Sequence, residues 1–128
     1  MIKEEDRLSK IIIGAAIEVH RTLGGCGLLE SVYEEALVWE LEQQKLNVER
    51  QKVVPIQYKA VKLAAPLRLD IRVEKCVIIE CKAVADYNAL FETQTLTYLR
   101  LMKLRLGLVI NFGEKYVKNG VKRVVNKL

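Results

Sequence analysis

The sequence has 128 residues, of which 51% are hydrophobic and 29% charged, so it is long enough for one domain with its own core. It lacks a run of about 20 apolar residues and opens with an acidic segment, which argues against a membrane span and a secretory signal. We therefore expect a cytoplasmic protein that forms a single domain over residues 1–128 and has no membrane partner. The odd number of cysteines without a CxxC pair indicates reduced, mostly buried thiols at Cys26, Cys76 and Cys81.

Positive charge is concentrated near the C-terminal end, although the net charge is only +5. Residues 1–50 contain six basic residues (Lys or Arg) and ten acidic residues (Asp or Glu). Residues 100–128 contain eight basic residues and one acidic residue. Such a basic segment suits a nucleic-acid backbone, and it is equally typical of a solvated surface. If nucleic acid is the partner, the predicted contacts are Lys118, Lys122, Arg123 and Lys127.

Apolar residues at helical spacing begin the chain and stop at Gly24-Gly25, a pair typical of a helix C-terminus. A second helical stripe follows, after which the pattern changes to β-branched residues and alternation, with Pro55 indicating an edge strand or a bulge. The predicted helices cover residues 4–23, 29–45 and 88–105, the predicted strands cover residues 53–58, 67–73, 76–82 and 107–112, and a hairpin turn is predicted at residues 118–121.

The order of these elements predicts the fold class. It is helix, helix, three strands, helix and strand, or α-α-β-β-β-α-β. The passage from strand to helix to strand near the end indicates a parallel crossover connection. We therefore expect a mixed α/β fold in which helices flank a mixed sheet of four to five strands.

Two acids and a lysine stand on neighbouring predicted strands. Side chains alternate across a strand, so Glu80 and Lys82 share one face of the sheet. Asp70 lies opposite Glu80 on that face only if the connection has an odd number of residues, such as 74–76, or contains a bulge. A strict two-residue turn at 74–75 would instead place the two acids on opposite faces.

Two carboxylates that converge repel each other unless a cation lies between them, so their convergence would indicate a metal site. Their hard oxygen ligands favour Mg²⁺ or Mn²⁺, and such an ion lowers the pKa of a bound water and neutralises charge on a phosphoryl oxygen. Spacing alone leaves a second interpretation open, in which the same groups form a structural network of ion pairs. That network would comprise Arg68, Asp70, Glu80 and Lys82.

These residues resemble the signature of the PD-(D/E)XK nuclease superfamily, in which an aspartate precedes a Glu-x-Lys strand, here Asp70 and Glu80-Cys81-Lys82. The predicted order of elements also matches that superfamily's restriction-endonuclease-like core. The sequence Gly-Leu-Leu-Glu-Ser-Val-Tyr at residues 27–33 further resembles the motif of the GxxExxY protein family within it. Other segments similar to that family are residues 19–24, 94–99 and 107–113.

The resemblance implies a nuclease that uses Mg²⁺ or Mn²⁺ to hydrolyse phosphodiester bonds in DNA or RNA. It implies that Asp70 and Glu80 are metal ligands and that Lys82 is the catalytic lysine. Glu30 matches a position from which many members add a further acidic metal ligand. From the residues alone, Glu30 is equally a favourable acid at a helix N-terminus, and Glu34 one turn on would serve as well.

Three more residues receive supporting roles from the resemblance. Gln94 and Tyr98 match a glutamine and a tyrosine on the helix that follows the Glu-x-Lys strand, and their spacing puts them on one helix face. The spacing also fits simple core packing of Tyr98. His20, the only histidine, matches a family position near Glu30, although its setting at the end of an apolar helix is typical of packing or capping.

Two functional hypotheses therefore differ in kind. The first is a metal-dependent nuclease that acts on DNA or RNA, and the second is a non-catalytic nucleic-acid-binding or regulatory module that keeps the nuclease fold. Clustered acids favour the first, because a protein that only binds a polyanion has no use for them at its binding face. A homo-oligomer is a further expectation, since Ile11-Ile12-Ile13 is more apolar than one helix face requires.

Overall fold

A five-stranded sheet with helices on both faces forms the centre of the computed structural model, which describes residues 3–128. The two long helices near the N-terminus cover one face, and the third helix covers the other. The helices are α1 (Glu4–Thr22), α2 (Glu30–Gln43) and α3 (Leu90–Met102), with a 3₁₀ turn at Val117–Gly120. The strands are β1 (Val48–Val54), β2 (Gln57–Tyr58), β3 (Val61–Lys62), β4 (Leu67–Val73), β5 (Val77–Lys82), β6 (Leu106–Asn111) and β7 (Val121–Val125).

The sheet has the strand order β1-β4-β5-β6-β7, and β2 and β3 form a separate two-stranded sheet. β5 and β6 are parallel and are joined by α3, while the other neighbouring pairs of the large sheet are antiparallel. The predicted parallel crossover, the mixed sheet and the flanking helices are therefore confirmed.

Apolar periodicity explains how the helices attach to the sheet. In α1, the buried residues recur every three or four positions and form one stripe. Gly24 and Gly25 end that helix as predicted, because their N–H groups donate to Arg21 O (3.2 Å) and His20 O (2.8 Å) with a positive φ at both glycines. The core below α1 and α2 includes Leu8, Ile12, Val19, Tyr33, Leu37, Ile79 and Leu108, and the core below α3 includes Leu69, Ile78, Leu99, Val109 and Val124.

Two predicted elements differ from the structure. The strand predicted over residues 53–58 is wrong, since β1 ends immediately before Pro55, which has no N–H for a strand ladder, and Gln57–Tyr58 pairs with Val61–Lys62 instead. The Asn-Gly pair at residues 119–120 lies in the 3₁₀ turn and neither residue has the positive φ of a hairpin turn. β7 follows directly and pairs antiparallel with β6.

The surface also departs from expectation. Cys26 is exposed, whereas Cys81 is buried and Cys76 is half-buried, so one of the thiols expected to be buried is not. Ile11 and Ile13 pack partly against the core, which accounts for the apolar run in α1. Across residues 3–128, no helix is both long enough and apolar enough to cross a bilayer.

Candidate functional site

The loop between β4 and β5 determines which face of the sheet carries the acids. Val73 pairs with Val77, so the loop contains the three residues 74–76, and Ile71 pairs with Ile79. The ladder ends at that pair, and just beyond it Asp70 Oδ2 accepts a hydrogen bond from the Cys81 N–H, which places Asp70 beside Glu80. The odd loop on which the convergence of the acids depended is therefore present.

Glu80 is a buried carboxyl group that forms no ion pair among residues 3–128. Its exposed fraction is 6%, and its Oε1 atom has no hydrogen-bond partner among residues 3–128. Burial, the charge of Asp70 and a hydrogen bond with Asp70 raise the pKa of Glu80 to about 9, against the opposing effect of Lys82. The Cys81 N–H donates to Asp70 Oδ2 at 2.8 Å, which fixes the second acid beside the first. The Asp70–Glu80 pair therefore holds a proton at neutral pH, and a bound cation would displace it.

Lys82 lies at the end of β5, two residues beyond Glu80 and on the same face of the sheet. Its Nζ atom is 4.4 Å from the centroid of the Phe91 ring on α3. Phe91 makes an edge-to-face contact with Tyr87, with 5.5 Å between the ring centroids, and Lys122 Nζ is 5.9 Å from the Tyr87 ring. This aromatic pair was not predicted from the sequence, although its spacing of four residues shortly after the Glu-x-Lys strand was the available signal.

Tyr98 approaches the acids from α3. Burial and, secondarily, the charges of Glu80 and Asp70 raise the pKa of the Tyr98 hydroxyl. Gln94 lies one turn earlier on the same helix and is exposed. The structure thus brings Tyr98 toward the acid pair and leaves Gln94 at the surface.

Glu30, the first residue of α2, borders the same region from the other helical layer. It lines an open cleft of about 550 Å³ together with Asp70. Partial burial raises the pKa of Glu30 and the Asp70 charge adds to the rise, while the Lys82 ammonium lowers it. Glu34 lines the cleft too, but its carboxylate already accepts from Arg50 Nε (2.6 Å) and Gln51 Nε2 (3.0 Å), so it is engaged in structural contacts.

The loop before Glu30 is fastened by Tyr33, the last residue of the Gly27 to Tyr33 motif. The Tyr33 hydroxyl donates to Gly25 O at 2.7 Å and accepts from the Leu28 N–H at 3.1 Å. Gly27 contributes a φ of 111°, which a residue with a side chain rarely adopts. The motif therefore holds the start of α2, and with it the backbone that carries Glu30.

His20 acts on the same loop through packing. The ring is buried and its Nε2 atom lies 3.2 Å from the Phe112 carbonyl oxygen, to which an Nε2–H would donate. It also stacks beside Tyr33, with 6.3 Å between centroids, and Tyr33 stacks on Phe112 at 4.8 Å. The connection of His20 to Glu30 therefore runs through Tyr33.

The predicted nucleic-acid contacts do not form one patch. Lys122 points to the α3 side of β7, next to Tyr87. Arg123 alternates to the other side and pairs with Asp6 of α1. Lys118 belongs to the 3₁₀ turn, and Lys127 lines a separate basic cavity with Arg100, Lys103 and Arg105.

The donor set fits a hard divalent cation. Asp70 and Glu80 supply carboxylate oxygens, one of them buried without a partner, and such oxygens are the ligands that Mg²⁺ and Mn²⁺ prefer. Within the described part of the chain, no group of three or more Asp, Glu, His or Cys side chains is close enough to hold an ion by itself. A metal here would take two protein carboxylates and complete its shell with water, and Glu30 stays a predicted ligand.

Comparison with known families agrees with this geometry. Residues 6–124 match the sequence profile of the PD-(D/E)XK nuclease superfamily. The chain belongs to the PD-(D/E)XK nuclease superfamily. Its mixed five-stranded sheet with flanking helices is consistent with the restriction-endonuclease-like fold of PD-(D/E)XK nucleases, which act on nucleic acid and typically use divalent metals. Comparison with curated proteins and with solved structures gave no match.

Proposed function

We propose that this chain is a metal-dependent nuclease of the GxxExxY type, which hydrolyses phosphodiester bonds in DNA with Mg²⁺ or Mn²⁺ as cofactor. Asp70 and Glu80 are the metal ligands in this proposal, and Lys82 is the catalytic lysine. Glu30 is a third acid, reaching the ion directly or through water. The whole machinery lies in a single domain.

The observation that carries the proposal is the unpaired, buried Oε1 atom of Glu80, with Asp70 held beside it by the Cys81 N–H. A protein does not ordinarily bury a carboxylate beside another carboxylate with one oxygen unsatisfied. An ordinary ion-pair network would have satisfied Glu80 with an arginine or lysine, as Arg50 satisfies Glu34. The unpaired oxygen therefore supports a ligand position for a cation.

Lys82 has a defined task in this proposal. A divalent ion, when bound, supplies a water of lowered pKa and neutralises charge on the phosphoryl group. Lys82 adds an ammonium that donates hydrogen bonds to the phosphoryl oxygens or to the attacking water. The Lys82 ammonium also lies 4.4 Å from the centroid of the Phe91 ring, a cation–π contact that favours this orientation of the side chain. The Tyr98 hydroxyl, whose pKa is raised, stays protonated at neutral pH and remains a hydrogen-bond donor.

The test is cleavage of single-stranded DNA, double-stranded DNA and RNA with Mg²⁺, with Mn²⁺ and with EDTA. We expect the wild-type protein to cleave only with metal. Asp70→Asn, Glu80→Gln and Lys82→Met are each expected to lose about 100-fold or more of the rate, as other enzymes do when a transition-state contact is removed. Lys59→Met is the matched control for Lys82, because Lys59 Nζ also lies over an aromatic ring, 5.5 Å from Tyr58, on the small hairpin.

A non-catalytic module is the second candidate, and one observation favours it. The residues that the structure describes provide no cluster of three protein ligands for a metal. Nucleic-acid binding by the wild-type protein with no cleavage in either metal would support this candidate. Equal cleavage by the wild-type protein and the Asp70, Glu80 and Lys82 variants would indicate a contaminating nuclease and refute the catalytic roles.

A further inference from the structure

A second cavity lies between the end of α1 and the segment before β7. Its volume is about 470 Å³, within the range of about 300–1,000 Å³ that is common for ligand sites. The cavity differs from the acidic cleft in chemistry, because aromatic, apolar and cationic side chains line it. They include Ile17, His20, Arg21, Lys115, Tyr116 and Lys118.

The lining suits a nucleobase with its phosphate. Tyr116 is 58% exposed and offers a ring face, and Lys115 Nζ lies 5.5 Å from the ring centroid. Within residues 3–128, neither Lys115 nor Lys118 forms an ion pair with a carboxylate. An exposed aromatic ring beside free ammonium groups is the combination with which proteins bind single-stranded nucleic acid, through base stacking and phosphate attraction.

The cavity adjoins the proposed catalytic edge of the sheet. His20 Nε2 lies 3.2 Å from the Phe112 carbonyl, and the Phe112 N–H donates to Lys82 O at 2.7 Å. Through Phe112, the cavity wall is therefore linked to the backbone of Lys82, whose ammonium lies over Phe91 on the α3 side. On the other side, Gly25 lines the cavity and accepts a hydrogen bond from Tyr33, one helical turn from Glu30. The loop before Glu30 therefore borders both openings, with Gly24 and Gly25 at the cavity and Leu29 at the acidic cleft.

From this geometry we infer that the cavity binds an unpaired nucleotide of the substrate strand, with the base on Tyr116 and the phosphate on Lys115 and Lys118. The substrate class is then single-stranded nucleic acid, or the unpaired end of a duplex, since bases inside an intact duplex have no free face to offer. The inference rests on the proposed nuclease function and specifies its substrate.

The test is fluorescence anisotropy with the intact protein in EDTA, where cleavage does not interfere, using a labelled single-stranded oligonucleotide and the blunt duplex of the same sequence. Tyr116→Ala is expected to weaken binding of the single strand about 5- to 150-fold, the range of base stacking on one aromatic ring, and to leave duplex binding unchanged. Tyr116→Phe is expected to keep wild-type affinity. Tyr58→Ala is the matched control, because Tyr58 is 57% exposed with Lys59 Nζ also 5.5 Å from its ring.

Lys118 provides an independent readout. Lys118→Ala is expected to reduce the slope of log affinity against log salt by about 0.7 for the single strand, the contribution of one phosphate contact. Equal effects of Tyr116→Ala and Tyr58→Ala, or equal losses for single strand and duplex, would overturn the inference while leaving cleavage intact. A free mononucleotide that binds as tightly as the oligonucleotide would overturn it as well. A wild-type protein that neither binds nucleic acid nor cleaves it with metal would overturn the proposed function itself.

Discussion

Replacing Glu80 by glutamine is expected to stabilise the metal-free protein. The folded state raises the pKa of Glu80 from 4.5 to about 9, chiefly through burial and secondly through the charge of Asp70. Glutamine keeps the size of the side chain and can donate an N–H to Asp70, but it has no charge to bury. The substitution thus removes an electrostatic contribution that lowers the free energy of unfolding of the wild-type protein, and that the native site keeps, in the proposed function, because the acid pair binds a cation.

The magnitude follows from proton linkage. Between about pH 4.5 and about pH 9 the folded protein holds the Glu80 proton that the unfolded chain has lost. In that window the free energy of unfolding of the wild-type protein falls by about 1.4 kcal/mol for each pH unit of increase. At about pH 7, roughly 2.5 pH units above the unfolded-state pKa, the cost is at most about 3.5 kcal/mol, and Glu80→Gln recovers that amount.

The assay is urea unfolding in EDTA at several pH values, for the wild-type protein and two variants. Glu80→Gln is expected to be more stable than the wild type, by a margin that grows with pH. Glu34→Gln is the matched control, since Glu34 is also a buried acid but is paired with Arg50 and Gln51. That variant is expected to lose about 1–3 kcal/mol, because it weakens a satisfied charged contact.

Metal supplies the second arm of the assay. Mg²⁺ or Mn²⁺ at about 100 times its dissociation constant is expected to stabilise the wild-type protein by about 2.7 kcal/mol and to stabilise Glu80→Gln much less. A Glu80→Gln variant that is less stable than the wild type in EDTA at all pH values would refute the reasoning. So would a pH dependence of stability identical in the two proteins.

Other predictions concern the segments that hold the site, each measured by urea unfolding. Tyr33→Phe is expected to cost about 1–2 kcal/mol, because it removes the hydroxyl bonded to Gly25, and to accelerate amide exchange at Leu28; unchanged exchange would contradict the fastening role. Gly113→Ala is expected to cost about 1–3 kcal/mol, since a Cβ there would collide with the Val84 backbone. Gly14→Ala is the control on α1, where a Cβ meets nothing within 4 Å, and is expected to gain about 0.5–1 kcal/mol.

The sequence was sufficient to predict the helices, the parallel crossover and the pairing of the central strands, because these depend on apolar periodicity. The sequence alone did not determine whether Asp70 and Glu80 converge, because that depends on the number of residues in the loop between β4 and β5. The deciding loop has a φ of 52° at both Glu74 and Lys75, two charged residues that give no glycine or asparagine signal for such backbone. Only the register of β4 against β5 resolved the parity of that loop.

Features assembled from distant segments were beyond sequence reasoning. The contact of Lys82 with Phe91 depends on how α3 crosses the sheet, and the cavity around Tyr116 brings together residues of α1 and of the segment before β7. Whether Glu80 Oε1 is paired likewise depends on where the fold places each basic side chain. Arg50, for example, pairs with Glu34. Spacing along a strand contains none of this information.

The most direct test of the central claim compares the wild-type protein with Lys82→Met in single-turnover DNA cleavage at saturating Mn²⁺. Lys82 is not a proposed metal ligand, so the variant should bind the ion as the wild type does, and a large excess of protein over DNA keeps a loss of DNA affinity out of the measured rate. We predict that its cleavage rate is lower by about 100-fold or more while its stability and metal affinity are retained. Cleavage by Lys82→Met at the wild-type rate would contradict the assignment of Asp70, Glu80 and Lys82 as a nuclease site.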